Sequence, residues 1–107
     1  MLDRTELLKN YIKEEPENPF NYYALALEYL TSNKTEAVTL MKLLLTDFPQ
    51  YLPTYYQAAA IYVESGEHEL AKKIYGDGIA LAQIQKNDKT LKELKGALQM
   101  LLDEEME

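Results

Sequence analysis

The chain has 107 residues, enough for one domain that buries roughly two thirds of the surface its unfolded form exposes, and its 47% hydrophobic and 27% charged content is that of an ordered soluble protein. Eighteen acidic against eleven basic side chains give a formal charge of −7, which repels phosphate backbones and anionic bilayers, so neither nucleic acid nor membrane is expected as a partner. There is no cysteine, hence no disulfide framework or thiolate ligand; with no apolar run long enough to span a bilayer and a start, Met1 to Glu6, too polar for a secretory signal, the expected compartment is the cytoplasm.

Asp3 followed by Glu6 has the spacing of a capping box, so a first helix is predicted over 4–15. Its apolar residues Leu7, Leu8, Tyr11 and Ile12 share one face, and Pro16 ends it. Asn18-Pro19 reads as an N-cap followed by proline in the first turn of a second helix, whose inner stripe is Tyr22, Leu25, Ala26 and Tyr29. Thr31 to Lys34 forms the turn into a third helix carrying Ala37, Leu40, Met41, Leu44 and Leu45, closed by Pro49.

A fourth helix opens near Pro53 with Tyr55, Ala58, Ala59 and Tyr62 facing inward, and Gly66 supplies a left-handed C-cap. The fifth buries Leu70, Ala71, Ile74, Tyr75, Gly78, Ile79 and Ala82, with Gly78 expected where two helices cross. Asp88 is the expected N-cap of a last helix striped by Leu91, Leu94, Leu98, Leu101 and Leu102, beyond which the acidic tail 103–107 should fray. Lysines 86, 89, 92 and 95 suit the wet side of that helix better than an anion site.

Two segments of this series match. Tyr22-Tyr23 answers to Tyr55-Tyr56, Tyr29 to Tyr62 and Pro16 to Pro49 at a shift of 33 residues (62 − 29), while Ala37 answers to Ala71 at 34 (71 − 37), so the first turn is one residue shorter. A period in this range means stacked helical hairpins. An ordinary amphipathic bundle would also show tyrosine stripes; the in-register copies favour the repeat.

These residues resemble the tetratricopeptide repeat family. The second unit supplies Tyr55, Ala58-Ala59, Tyr62, Gly66, Ala71, Tyr75 and Gly78 of its pattern; the first supplies Tyr22, Leu25-Ala26, Tyr29, Ala37, Met41 and Pro49. The first turn lacks its glycine, Leu44 replaces a small residue, and Gln83 stands where a proline would close the second unit. The resemblance implies an all-α, right-handed α-solenoid of antiparallel hairpins with six helices in one domain: a half repeat at 4–15, repeats at 19–49 and 52–84, and a capping helix at 88–104.

It also implies a function, the non-catalytic binding of an unidentified protein or peptide. In the family, the first helices of successive hairpins line a groove for a peptide or helix; carried over by register, that lining is Phe20, Tyr23, Leu27 and Leu30, then Pro53, Tyr56, Ala60, Val63 and Glu64. The family's carboxylate clamp is not expected, because Tyr23, Leu27 and Gln57 occupy matching positions. So apolar a lining must be covered, by a partner segment anchored on Tyr23 and Tyr56, by a second copy in a homodimer, or by the chain's own last helix.

No enzymatic constellation is expected. His68 is the single histidine, placed in a predicted turn, and no nucleophile or opposed carboxylate pair can be argued from spacing. Metal-ligand spacings are likewise missing, so neither metal nor cofactor is expected.

Overall fold

A computed structural model describes residues 3–107 as six α-helices: α1 (Arg4–Glu14), α2 (Pro19–Ser32), α3 (Lys34–Asp47), α4 (Pro53–Glu64), α5 (His68–Ile84) and α6 (Asp88–Glu105). They form two compact units, the first ending at Tyr51 and the second running from Leu52 to Glu107. Among the described residues no helix is long and apolar enough to cross a membrane.

In the first unit α1 packs on α2, and α2 on α3. The Glu6 amide donates to Asp3 Oδ1 at 2.9 Å, starting α1 as its spacing predicts. The helix stops at Glu14, and its buried face is narrower than expected: Leu8 and Ile12 join Ala24, Leu25, Tyr29 and Leu40 in the core, whereas Leu7 and Tyr11 are 37% and 42% exposed. A helix covered on one side only buries a narrow stripe, so the adjacent row stays wet. Asn18 caps α2 by accepting from the Phe20 amide at 3.0 Å, and the Tyr22 hydroxyl donates to Pro16 O at 2.8 Å, tying the loop to the helix it precedes.

The turn between α2 and α3 contracts to one residue. Asn33 donates its amide to Tyr29 O at 2.8 Å, ending α2, while its side chain accepts from the Glu36 amide at 3.3 Å, starting α3. On α3, Ala37, Met41 and Leu44 are almost wholly buried; truncating either of the two larger ones to alanine should cost about 2–5 kcal/mol.

In the second unit α4 packs on α5, and α5 on α6. Tyr55, Ala58, Ala59, Tyr62, Ala71, Ile74, Tyr75, Gly78 and Ala82 are buried as the pattern requires, but Leu70 is 39% exposed. The reason is positional: Leu70 lies in the first turn of α5, beside the ridge led by Ala71. Gly78 sits at the crossing, where an added Cβ would lie 2.7 Å from Tyr55 Cβ and 3.1 Å from Leu94 Cδ1.

Both turns of this unit use the same device. Glu67 and Gly66 donate to Tyr62 O and Val63 O at 2.8 and 3.0 Å with Gly66 at φ +83°; Asn87 and Lys86 donate to Ala82 O and Gln83 O at 2.9 and 3.2 Å with Lys86 at φ 57°. These are Schellman closures, the second with lysine in the left-handed position glycine normally takes. That turn swings the Asn87 side chain under α6, where it accepts from the Thr90 amide at 3.0 Å. Asn87 is therefore the N-cap, and Asp88, expected in that role, opens the helix, where its carboxylate faces the positive pole.

Candidate partner-binding face

Phe20, Tyr23, Leu27 and Leu30 recur every three or four residues on α2, so they share one face. Phe20 is 55% exposed; the other three are half-buried. The Tyr23 ring is held edge-on against Tyr51, with centroids 5.7 Å apart and planes at 67°. Tyr22, one position earlier, turns the other way to stack obliquely on Phe48 at 5.5 Å. Both rings of the doublet are half-buried, each against a different aromatic partner. Behind Phe48 and Tyr51, with Pro19 and Asp47, lies an open hollow of about 320 Å³ that the sequence pattern gives no sign of.

The second unit divides its doublet by burial. Tyr55 is buried, whereas Tyr56 is 41% exposed and braced edge-on by Tyr75 at 6.4 Å and 73°. Along the same face of α4, Ala60 and Val63 are half-buried, while Pro53 and Glu64 are exposed. Tyr56 and Val63 border a hollow of about 160 Å³ whose far wall is Ala97, Met100, Leu101 and Glu104 of α6. Of those α6 residues only Leu101 belongs to the expected leucine stripe; Ala97, Met100 and Glu104 lie on the row beside it and were not expected at a site. The available signal was a second stripe, Ala97, Met100 and Glu104, at spacings of three and four.

Burial raises the pKa of the Tyr51, Tyr55, Tyr62 and Tyr75 phenols. For Tyr55 the nearby Asp77 carboxylate adds to this and Lys73 opposes it. These rings therefore act as neutral packing surfaces with a polar tip. The acidic end of α6 is anchored: Lys72 Nζ lies 2.8 Å from Glu69 and 2.9 Å from Glu105, and His68 Nδ1 is 3.8 Å from Glu105. Hydrogen bonds to Glu69 and then Glu105 raise the Lys72 pKa. His68 accordingly opens α5 rather than sitting in a turn, and α6 stays helical through Glu105, where fraying was expected from 103.

Solved structures place this arrangement among known proteins. A tetratricopeptide repeat domain protein from Salinibacter ruber is 34% identical in its solution structure and 33% in its crystal structure, with TM-scores of 0.76 and 0.77; each match covers 81% of this chain, and 89% and 98% of those chains. The chain belongs to the tetratricopeptide repeat family. A solution structure of a protein from Bordetella parapertussis, 22% identical with a TM-score of 0.79, shares the fold over 97% of this chain and 91% of its own. Neither a family model nor a curated protein matches the sequence. In tetratricopeptide terms, the buried Ala58-Ala59 and Gly78 are the small positions of the second repeat, and Tyr55, Tyr62 and Tyr75 are the bulky side chains that fill the space they leave. The protein is a helical repeat module.

Proposed function

We propose that this module works without catalysis, by holding segments of a partner protein against the apolar stripe that each unit presents, on α2 in the first and on α4 in the second. The observation that carries the reading is that each stripe presents aromatic surface near the helix start, Phe20 at 55% exposure and Tyr56 at 41%, and carries a tyrosine braced edge-on by another, Tyr23 by Tyr51 and Tyr56 by Tyr75. Fixed tyrosines lose little rotamer freedom on binding and bury large area, which suits them as anchors. In the second unit, α6 borders the α4 stripe without sealing it, since Tyr56 and Met100 keep 41% and 66% of their surface in solvent.

A second copy of the chain is a weaker occupant, because each copy brings a charge of −7 to the contact. The test is site-specific photocrosslinking in the organism of origin, with the reactive group at Tyr56 in one variant and at exposed Lys73 on α5 in another. A heterologous adduct confined to the Tyr56 variant, and absent when Tyr23 and Tyr56 are both changed to alanine with the helical signal intact, supports the reading. An adduct between two copies of this chain, or equal labelling from Lys73, refutes it.

A further inference from the structure

The hollow between α4 and α6 carries a charge asymmetry that narrows the partner's chemistry. Tyr56, Val63, Ala97, Met100 and Leu101 give it apolar walls, and Glu104 stands at its rim. Its volume of about 160 Å³ is close to the roughly 150 Å³ that receives one benzene-sized group. That is room for one medium side chain.

The carboxylates at this end of α6 are unequally matched. Glu105 is paired with Lys72 at 2.9 Å, and Asp103 accepts from Gln99 Nε2 at 2.9 Å. Among the described residues no lysine, arginine or histidine pairs with Glu104. The last turn of α6 also has no basic residue, so the negative pole of the helix adds to the carboxylates rather than being offset. An apolar recess beside an unmatched negative charge favours a ligand with the complementary pair of features.

We propose that this recess takes one apolar side chain of a partner segment bearing a lysine or arginine within about one helical turn of it, the cation pairing with Glu104. This rests on the partner-binding reading above and specifies the partner as a basic amphipathic segment. The same charges argue against a second copy here, since two such rims would meet like to like.

The experiment selects ligands from a displayed library of random peptides on the immobilised full chain, then measures synthetic versions of the enriched sequences by fluorescence anisotropy. The expected sequences combine leucine, isoleucine, methionine or phenylalanine with a nearby lysine or arginine. Their binding should weaken about fivefold on Glu104→Lys, the scale of a partly exposed ion pair, and about tenfold or more on Met100→Glu, with both variants retaining the wild-type helical signal. Raising the salt concentration should reduce affinity for the wild type, and less so for Glu104→Gln, which removes the charge without reversing it.

Peptides that lose binding on Tyr56→Ala but carry no basic residue, or ignore Glu104→Lys, overturn the charge assignment and leave the groove reading standing. Peptides indifferent to both Tyr56→Ala and Met100→Glu, or no enrichment at all, overturn both. A chain that runs as a dimer in light scattering and becomes a monomer on Met100→Glu names a second copy as the occupant and also defeats the proposal.

Discussion

Gly78 and Tyr55 meet backbone to side chain: the position a Cβ would take on Gly78 is 2.7 Å from the Cβ of Tyr55 and 3.1 Å from its ring carbon Cγ. The nearer atom, Cβ, is attached directly to the backbone, so no rotamer change can move it away. Gly78→Ala should therefore destabilise the protein by about 1–3 kcal/mol, although alanine is the better helix former by about 1 kcal/mol. Gly76 and Gly96, in α5 and α6 with nothing within 4 Å of the added carbon, are the controls: each alanine there should stabilise by about 0.5–1 kcal/mol. Urea denaturation of the three variants checks the signs.

The two Schellman turns predict opposite effects from reciprocal changes. Lys86 adopts φ 57° where a side chain strains the backbone, so Lys86→Gly should stabilise by about 1 kcal/mol. Gly66, at φ +83°, should lose a similar amount on Gly66→Lys. Thermal unfolding should show the melting temperature rising for the first and falling for the second; equal shifts in one direction would contradict the turn geometry.

Thr54 lies fully buried in the first turn of α4, and its hydroxyl oxygen has no hydrogen-bond partner. Replacing a hydroxyl that makes no bond with a methyl group of similar shape removes a desolvation cost and loses nothing in return. Thr54→Val should be neutral or stabilising by about 1 kcal/mol, whereas Thr54→Ala should destabilise through the lost packing. Chemical denaturation of the pair separates the two terms.

Alkaline pH should weaken the fold. Burial raises the phenol pKa of Tyr51, Tyr55, Tyr62 and Tyr75 above the ordinary 10.0. Above that value the unfolded chain has released these protons while the folded chain keeps them, so unfolded molecules bind fewer protons and stability falls as pH rises. Below about pH 10 this contribution is present in full. Urea midpoints measured across this range should drop on the alkaline side together with the rise of tyrosinate absorbance, and Tyr55→Phe should reduce the drop.

The repeat makes most of the architecture readable from the amino-acid sequence. Tyr55, Ala58, Ala59, Tyr62, Ala71, Tyr75 and Gly78 alternate large and small at helical spacing, and only close helix contact uses that alternation. What escaped depended on neighbours. Leu7, Tyr11 and Leu70 are apolar at plausible positions, yet each keeps more than a third of its surface in solvent, and sequence spacing carries no record of how wide a contact will be. Asn21 and Thr54, equivalent positions 33 residues apart (54 − 21), are polar and buried, against composition. Asn87 displaced Asp88 as a cap because Lys86 turned left-handed, a conformation that lysine does not advertise.

The candidate site was legible in a different proportion. Register put Tyr23 and Tyr56 on equivalent faces, and each does carry a supporting ring, but the supports, Tyr51 and Tyr75, come from elsewhere in the chain and obey no local rule. Met100 and Glu104 lay on a ridge with one apolar and one acidic member, a pattern indistinguishable from ordinary surface until α4 is placed beside it.

Asn33 closes one helix and begins the next with no residue to spare, whereas Ser65, Gly66 and Glu67 share the corresponding task further along the chain. A helix advances by about 100° per residue, so shortening the chain at Asn33 would rotate Met41 and Leu44 away from α2 and into water. Drift in length can run in one direction at that corner, toward growth. The other corner already shows what a longer version looks like, and grafted segments belong there.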